Sequence, residues 1–210
     1  YVKLGFDLAF KYRNPAMILT DGLIGQMMEK VELIDPIPRR TQEEIIKECP
    51  WATTGKTSNR KHNIITSLDL DSSKQEQHVL KLKAKYDEIE KNEVRFEKIQ
   101  CDDAEYIFVA YGSSARICQK AVDLGREKGL KLGLFRPITL FPFPNIELKK
   151  MRQQIKGILS VEMSLGQMIE DVRLATNCSV KAEHFGRMGG MIHSPEEVLE
   201  AMENLIIGGK

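Results

Sequence analysis

The stretch from Ala104 to Pro144 constrains the fold of this chain most strongly. It begins with an apolar, aromatic and β-branched run, Glu105–Tyr111, which predicts a strand buried on both faces. Gly112-Ser113-Ser114 follows at once; glycine permits the sharp turn, and either serine can accept a hydrogen bond from the first free amides of a helix. The helix ends at Gly129, and Leu130–Phe135 predicts a second strand. Together these elements make a parallel βαβ unit, whose crossover is almost always right-handed.

Two further strands and three helices continue this alternation along the chain. Gly157–Val161 predicts a third strand, and Ser179–Phe185 predicts a fourth, whose alternating pattern is typical of an edge or half-exposed strand. The helix starts are Asn145, the capping box Ser164-x-x-Gln167 and Ser194-Pro195-Glu196-Glu197. The predicted fold class is therefore α/β, a mostly parallel sheet with helices on both faces, in a domain that spans residues 104–210.

Residues 1–34 predict the end of another α/β domain. Val2–Tyr12 has the pattern of a helix, Ala16–Thr20 that of a short buried strand, Asp21-Gly22 that of a turn, and Ile24–Val31 that of the start of a second helix. One strand cannot make a sheet, so this segment must dock on something else or be poorly ordered. Because the chain starts inside an amphipathic helix without a methionine, we expect it to be a fragment.

Residues 35–103 predict a connector with one long charged helix. Asp35–Leu70 has prolines, polar residues and little periodicity, which indicates an irregular segment. Ser73-x-x-Glu76 is a capping-box signature, and apolar residues then recur at helical spacing to about Lys98. Two interpretations of this helix stay open. It packs along the surface of one domain, or it is a strut between domains or subunits.

Composition sets limits on the function. The net charge is +1, from 31 basic and 30 acidic residues, and this balance argues against a nucleic-acid surface. No apolar run approaches the roughly 20 residues of a membrane span, and no signal peptide is visible, so we expect a cytoplasmic protein. The four cysteines do not cluster, which predicts reduced thiols and no metal site in this chain: Cys49, Cys101, Cys118 and Cys178.

The carboxyl ends of the predicted strands hold the candidate site residues, because ligands of open α/β sheets gather there. The candidates are Gly112, Ser113, Ser114, Arg136, Glu162 and Gln167. Two interpretations of the Gly112–Ser114 turn stay open: it binds an anion through the backbone amides of the helix, or it is a plain strand-to-helix turn with a serine cap. Glu162 pairs with Arg136 or Arg187, anchors a subunit interface, or is a salt-bridged structural carboxylate. His184 and His193 flank a glycine-rich loop, and no catalytic residue is assigned.

Two sequence blocks show a family resemblance. The run VAYGSSARICQKAV, continued by FRPITLFPFP and ILSVEMSLGQMIEDVRLA, resembles domain II of the 2-oxoacid:ferredoxin oxidoreductases, the pyruvate:ferredoxin oxidoreductase family. It is most similar to the alpha subunit of the 2-oxoisovalerate or 2-oxoglutarate type. That domain is similar to the transketolase C-terminal domain. The segment PAMILTDGLIGQMMEKVEL resembles the end of domain I, the thiamine-pyrimidine-binding domain, and the WATTG region with the charged helix resembles the connection between the two domains.

The resemblance implies oxidative decarboxylation of a 2-oxoacid to an acyl-coenzyme A, with ferredoxin as electron acceptor. It implies thiamine diphosphate, magnesium and iron–sulfur clusters in the whole complex, with none bound to this chain alone. The implied partners are a thiamine-pyrophosphate-binding beta subunit and a ferredoxin-like subunit. Most of domain I is missing, including the glutamate that activates the aminopyrimidine, so we expect this chain to have a structural and assembly role. The alternatives are a non-enzymatic binding or scaffold module and another thiamine enzyme of the transketolase type.

Overall fold

In the computed structural model, which describes residues 1–32, 36–53, 55, 62 and 64–208, five strands form one sheet. The strands are β1 Phe96–Ile99, β2 Tyr106–Val109, β3 Leu132–Pro137, β4 Gly157–Glu162 and β5 Lys181–Gly186. Their order across the sheet is β1-β3-β2-β4-β5. Strands β2 to β5 pair in parallel, and β1 is antiparallel to β3. The predicted α/β class, the mostly parallel sheet and the edge position of the last strand are confirmed.

Helices cover both faces of this sheet. They are α4 Gly112–Glu127, α5 Asn145–Met151, α6 Met168–Ala175 and α7 Pro195–Ala201, which continues into a π-helical turn, Met202–Ile207. Alternate residues of β2 point to opposite faces, as the pleat requires. Ile107 and Val109 pack in the cluster that contains α5 and α6, whereas Phe108 packs in the cluster that contains α4 and α7. All three side chains are fully buried.

Strand β1 was not expected, because the charged helix was predicted to continue to about Lys98. That helix, α3, spans Ser72–Asn92, and the chain then runs as β1 along the open edge of β3. The ring of Phe96 stacks on Phe135 with ring centroids 5.3 Å apart. Pairing with β3 and this stacking outweigh the helical propensity of the short charged segment, which is a tertiary effect. The amides of Ser73 and Lys74 donate to the Asp71 carboxylate, which takes the capping position predicted for Ser73.

The chain divides into two compact units, one of Tyr1–Met27 with Ala84–Lys210 and the other of Met28–Lys83. The predicted boundaries 1–34, 35–103 and 104–210 stay predictions, and Leu33–Asp35, where the first of them falls, lies outside the described residues. Within the smaller unit, helix α2, Gln42–Glu48, begins at a capping box of Thr41 and Glu44. The sequence analysis missed this helix. Its Thr-x-x-Glu spacing was the available signal.

The first 27 residues differ from prediction in two places. Helix α1, Val2–Tyr12, is confirmed. Ala16–Thr20 forms no strand, because no neighbouring strand offers it backbone partners, and its Met17 and Leu19 are 83% and 60% exposed. The helix predicted over Ile24–Val31 is a single 3-10 turn, Ile24–Gln26. Among the described residues, no helix is both long and apolar enough to cross a membrane.

Candidate functional site at the strand ends

Strands β2 and β4 are neighbours, and their carboxyl ends form the topological switch point of the sheet. The chain leaves β2 into α4 on one face and leaves β4 toward α6 on the other face. Open α/β sheets bind ligands in the crevice that such a divergence creates. Five of the six predicted site residues lie at this edge, Gly112, Ser113 and Ser114 after β2 and Glu162 and Gln167 at the end of β4.

Glu162 is buried, with 3% of its surface exposed, and it caps α6. One carboxylate oxygen accepts from the Ser160 hydroxyl and the Ile169 amide, both at 3.0 Å. The other accepts from the Ser164 hydroxyl at 3.2 Å, the Gln167 amide at 2.9 Å and the Met168 amide at 3.0 Å. Five donors saturate the roughly four lone-pair sites of a carboxylate. The predicted Ser164–Gln167 capping box is therefore wrong, because Glu162 does the capping.

The hydrogen bonds decide the protonation state of Glu162. Burial by itself would raise the pKa of this carboxyl group, but the bonds from the Gln167 and Met168 amides and the Ser160 hydroxyl lower the pKa below its ordinary value. A helix N-terminus also favours a negative charge. Glu162 is therefore an ionised structural acceptor with no free lone pair, and this arrangement does not suit a general acid or base.

Asp21 occupies the equivalent position at the start of α4. One of its carboxylate oxygens accepts from the Ser113 hydroxyl at 2.9 Å and the Ile24 amide at 2.8 Å, and the other accepts from the Ser113 amide at 3.0 Å. Neither Ser113 nor Ser114 caps α4 with its side chain, since both lie within the helix and both are buried. No local sequence pattern connects Asp21 with Ser113, because the two partners are 92 residues apart.

Tyr111 is the residue that precedes α4, and its half-buried phenol lies in the field of both carboxylates. Burial raises the pKa of the Tyr111 hydroxyl, and the charges of Glu162 and Asp21 raise it further. The switch point is therefore anionic. An anionic crevice whose helix amides already bind carboxylates is a poor site for a phosphate group.

The two arginines considered as partners of Glu162 pair elsewhere. Arg136 donates to Glu97 at 2.8 Å, across the β1–β3 pair in which these residues are directly opposite. Arg187 pairs with Glu197. The predicted Glu162–arginine ion pair is therefore wrong, and the physical reason is that the amides at the N-terminus of α6 satisfy the carboxylate without a cation.

His193 fixes the backbone that surrounds Glu162. Its Nε2 lies 3.1 Å from the Glu162 carbonyl oxygen, so Nε2 carries the proton and donates it. Its Nδ1 is buried without a hydrogen-bond partner, as is Nε2 of His184. Burial, the largest contribution, lowers the pKa of His193. Both features indicate a neutral, structural imidazole.

The cysteines are all unpaired, and three of the four are buried. Burial raises the pKa of the Cys101 thiol to about 11 and raises that of Cys118 further. The residues that the structure describes contain no group of three or more His, Cys, Asp or Glu side chains arranged to hold a metal ion.

With this geometry established, comparison with known proteins identifies the sheet domain. Residues 104–198 match the family model of pyruvate:ferredoxin oxidoreductase core domain II. This stretch is therefore similar to that domain, and the name core domain II denotes it. Core domain II thus contains β2 to β5 and the switch point described above, while β1 and the first 27 residues lie outside the matched range.

The relatives extend the likeness beyond core domain II. The chain is 42% identical over 203 residues to the ketoisovalerate oxidoreductase subunit VorB of Methanothermobacter thermautotrophicus. This alignment covers 95% of this chain and 55% of that protein. It is 33% identical over 221 residues to the 2-oxoglutarate synthase subunit KorA of Methanocaldococcus jannaschii, with 95% and 58% covered. The chain thus spans little more than half the length of these relatives. The predicted alpha designation is not confirmed, because the ketoisovalerate relative carries the letter B.

A solved structure shows the same fold. It is the 2-oxoglutarate:ferredoxin oxidoreductase from Magnetococcus marinus with 2-oxoglutarate, coenzyme A and succinyl-CoA bound. The TM-score is 0.57 at 20% identity, and the match covers 65% of this chain and 24% of that one. At this identity the likeness supports the fold of core domain II.

The strand-end carboxylates do not fit the needs of thiamine diphosphate. Its activation needs a carboxylate that is free to face the aminopyrimidine ring. Among the described residues at the switch point, Asp21 and Glu162 both use their oxygens to cap helices of core domain II. No step of thiamine chemistry is therefore assigned to this site.

Proposed function

We propose that the chain is part of a subunit of a 2-oxoacid:ferredoxin oxidoreductase. In this proposal the whole enzyme oxidatively decarboxylates a 2-oxoacid, joins the acyl group to coenzyme A and passes the electrons to ferredoxin. The observation that carries the proposal is the 42% identity to a ketoisovalerate oxidoreductase subunit over 95% of the chain. The match of residues 104–198 to core domain II supports it independently of any single relative.

The favoured substrate is a branched-chain 2-oxoacid of the ketoisovalerate type. The support is the higher identity to the ketoisovalerate subunit, 42%, than to the 2-oxoglutarate subunit, 33%. Both alignments cover 95% of the chain, so the difference does not arise from alignment length.

Within this enzyme the chain has a structural and assembly role. Asp21 and Glu162, the two carboxylates at the switch point, are committed to helix capping, and His193 is neutral and bonded to a backbone carbonyl. Side chains in these states position backbone and do not transfer protons. The sequence-derived surface of Gly112–Ser114, Arg136, Glu162 and Gln167 remains a proposed interface, in which the exposed Gln167 and the half-exposed Arg136 offer the accessible polar groups.

The proposed partners supply the cofactors. One is a thiamine-pyrophosphate-binding subunit that also holds magnesium, and the other is a ferredoxin-like subunit with iron–sulfur clusters. Thiamine activation and electron transfer are assigned to these other parts of the complex. A cytoplasmic location belongs to the same proposal, and four unpaired thiols are in keeping with a reducing compartment.

Substrate specificity of the purified complex tests the proposal. The complex is captured through an affinity tag on this chain, and coenzyme A-dependent reduction of ferredoxin is measured with 2-oxoisovalerate, 2-oxoglutarate and pyruvate. We expect the highest kcat/KM with 2-oxoisovalerate. A preference for 2-oxoglutarate would support the proposed enzyme class but contradict the proposed substrate. Capture of the chain without partner subunits or activity would favour the scaffold alternative.

A further inference from the structure

The N-terminal segment, residues 1–27, contacts core domain II through a carboxylate at the switch point of the sheet. Asp21 accepts two hydrogen bonds from Ser113, from its amide at 3.0 Å and its hydroxyl at 2.9 Å. Ser113 is 3% exposed and Asp21 is half-buried, so the contact is shielded from water on the Ser113 side. Hydrogen bonds to an ionised acceptor are roughly twice as strong as bonds between neutral groups.

The backbone conformations at Gly112 and at Ile24 allow the contact between Asp21 and Ser113 to form. Gly112 has φ +60°, a conformation that favours glycine, and a Cβ built there would lie 3.0 Å from the second carboxylate oxygen of Asp21. The amide of Ile24 donates to the first oxygen at 2.8 Å, which bends the segment into its 3-10 turn. A side chain at residue 112 would therefore both strain the turn and press on the carboxylate.

We propose that Asp21 is a positioning residue that latches residues 1–27 onto core domain II at the switch point. The carboxylate takes the place that a ligand anion takes in other open α/β sheets, so the chain itself fills the N-terminus of α4. The switch point of this domain thus serves as a docking site for an adjoining segment of the same chain. This inference rests on contacts within the chain and does not depend on the proposed enzymatic function.

A second attachment of the same segment allows the latch to be tested by itself. Tyr12 and Lys11, at the end of α1, donate to the buried Glu93 at 2.5 Å and 2.7 Å. Loss of the Asp21 contact should therefore free residues 15–27, while α1 stays attached through Glu93 and Asn14 stays attached through Lys85. A general loss of folding would free both together.

Hydrogen–deuterium exchange of the full-length protein in its complex tests the latch, with Asp21→Asn as the variant. In either orientation the NH₂ group of asparagine leaves one backbone amide, that of Ser113 or that of Ile24, without its acceptor, so we expect exchange of the amides of residues 24–27 to rise about tenfold, the factor that loss of a charge-assisted hydrogen bond gives. The control is Asp7→Asn, the same change in α1, where Asp7 forms only an exposed ion pair with Lys3. Exchange in α1 and β2 should stay within about twofold in both variants.

A double-mutant cycle separates the latch from an independent structural role of either residue. Ser113→Ala should raise exchange of the amides of residues 24–27 in the wild-type background and have a smaller further effect when Asp21 is already asparagine. Additive effects of the two substitutions would overturn the proposal, as would equal exchange in Asp21→Asn and Asp7→Asn. If Asp21→Asn does not fold, the milder Ser113→Ala change gives the decisive comparison, and unchanged exchange there also overturns the latch.

Discussion

Replacement of Glu162 by glutamine tests the central feature of the switch point. Glutamine has nearly the same shape but presents one acceptor oxygen and one NH₂ group. In either orientation the NH₂ group faces at least one backbone amide of α6, because Ile169 donates to one carboxylate oxygen and Gln167 and Met168 donate to the other. The serine hydroxyls can rotate and accept, but a backbone N–H cannot.

The expected loss of stability follows from these contacts. One buried N–H without a partner costs about 1–3 kcal/mol, and the remaining bonds weaken from charge-assisted to neutral, by about 1 kcal/mol each. With the NH₂ group facing Ile169, one N–H is unpaired and three bonds are weakened, so we expect Glu162→Gln to lower the free energy of unfolding by about 4–6 kcal/mol. Since about 1 kcal/mol shifts Tm by about 2–4 °C in a chain of this length, the melting temperature should fall by roughly 8–24 °C.

Urea unfolding followed by far-ultraviolet circular dichroism measures this change. Trp51 is the only tryptophan and lies in the smaller unit, so its fluorescence would not report on core domain II. The matched control is Glu170→Gln, because Glu170 lies in the first turn of the same helix but is exposed. We expect the control to change stability by about 0.5 kcal/mol or less. Equal destabilisation by the two variants would refute the capping role of Glu162.

Three further predictions concern other parts of the larger unit. Because the folded state lowers the pKa of His193, stability should fall as pH drops through about 6.5, the pKa of an unfolded histidine, and His193→Gln should remove this step; an unchanged pH profile would contradict it. Gly133→Ala should lower the free energy of unfolding in urea by about 1–3 kcal/mol, because the new Cβ would lie 2.8 Å from the Gln100 carbonyl oxygen. Unaltered stability would show that the backbone at Gln100 moves to accommodate the methyl group. Hydrogen bonds lower the pKa of Glu93 to about 2, so the contribution of Glu93 to the free energy of unfolding should be lost as pH falls from about 4.5 to about 2. Glu93→Gln should accelerate proteolysis within α1, and cleavage at the wild-type rate would contradict this.

The sheet could be predicted because its signals are local. Buried parallel strands give continuous apolar runs such as Ile107–Ala110, and α7 carries a complete capping box at Ser194 and Glu197. Strand β1 could not be found in this way. Its four residues, Phe-Glu-Lys-Ile, are half charged and form a strand through their pairing with β3.

The switch point was located from the sequence but its contacts were not. The positions of Gly112 and Glu162 at strand ends follow from the order of strands and helices. The partner of Ser113 is Asp21, which no local pattern connects to it. An arginine was one of the partners considered for Glu162, whereas three backbone amides and two hydroxyls satisfy its charged oxygens, and such backbone partners leave no trace in residue types.

Reconstitution with and without this chain tests the central claim most directly. The subunits of the complex are expressed together, and ferredoxin reduction is measured with 2-oxoisovalerate and coenzyme A present. We expect omission of the protein that contains this chain to abolish the activity and its addition to restore it, with acyl-coenzyme A as product. Full activity in its absence would contradict the assignment of the chain to a 2-oxoacid:ferredoxin oxidoreductase.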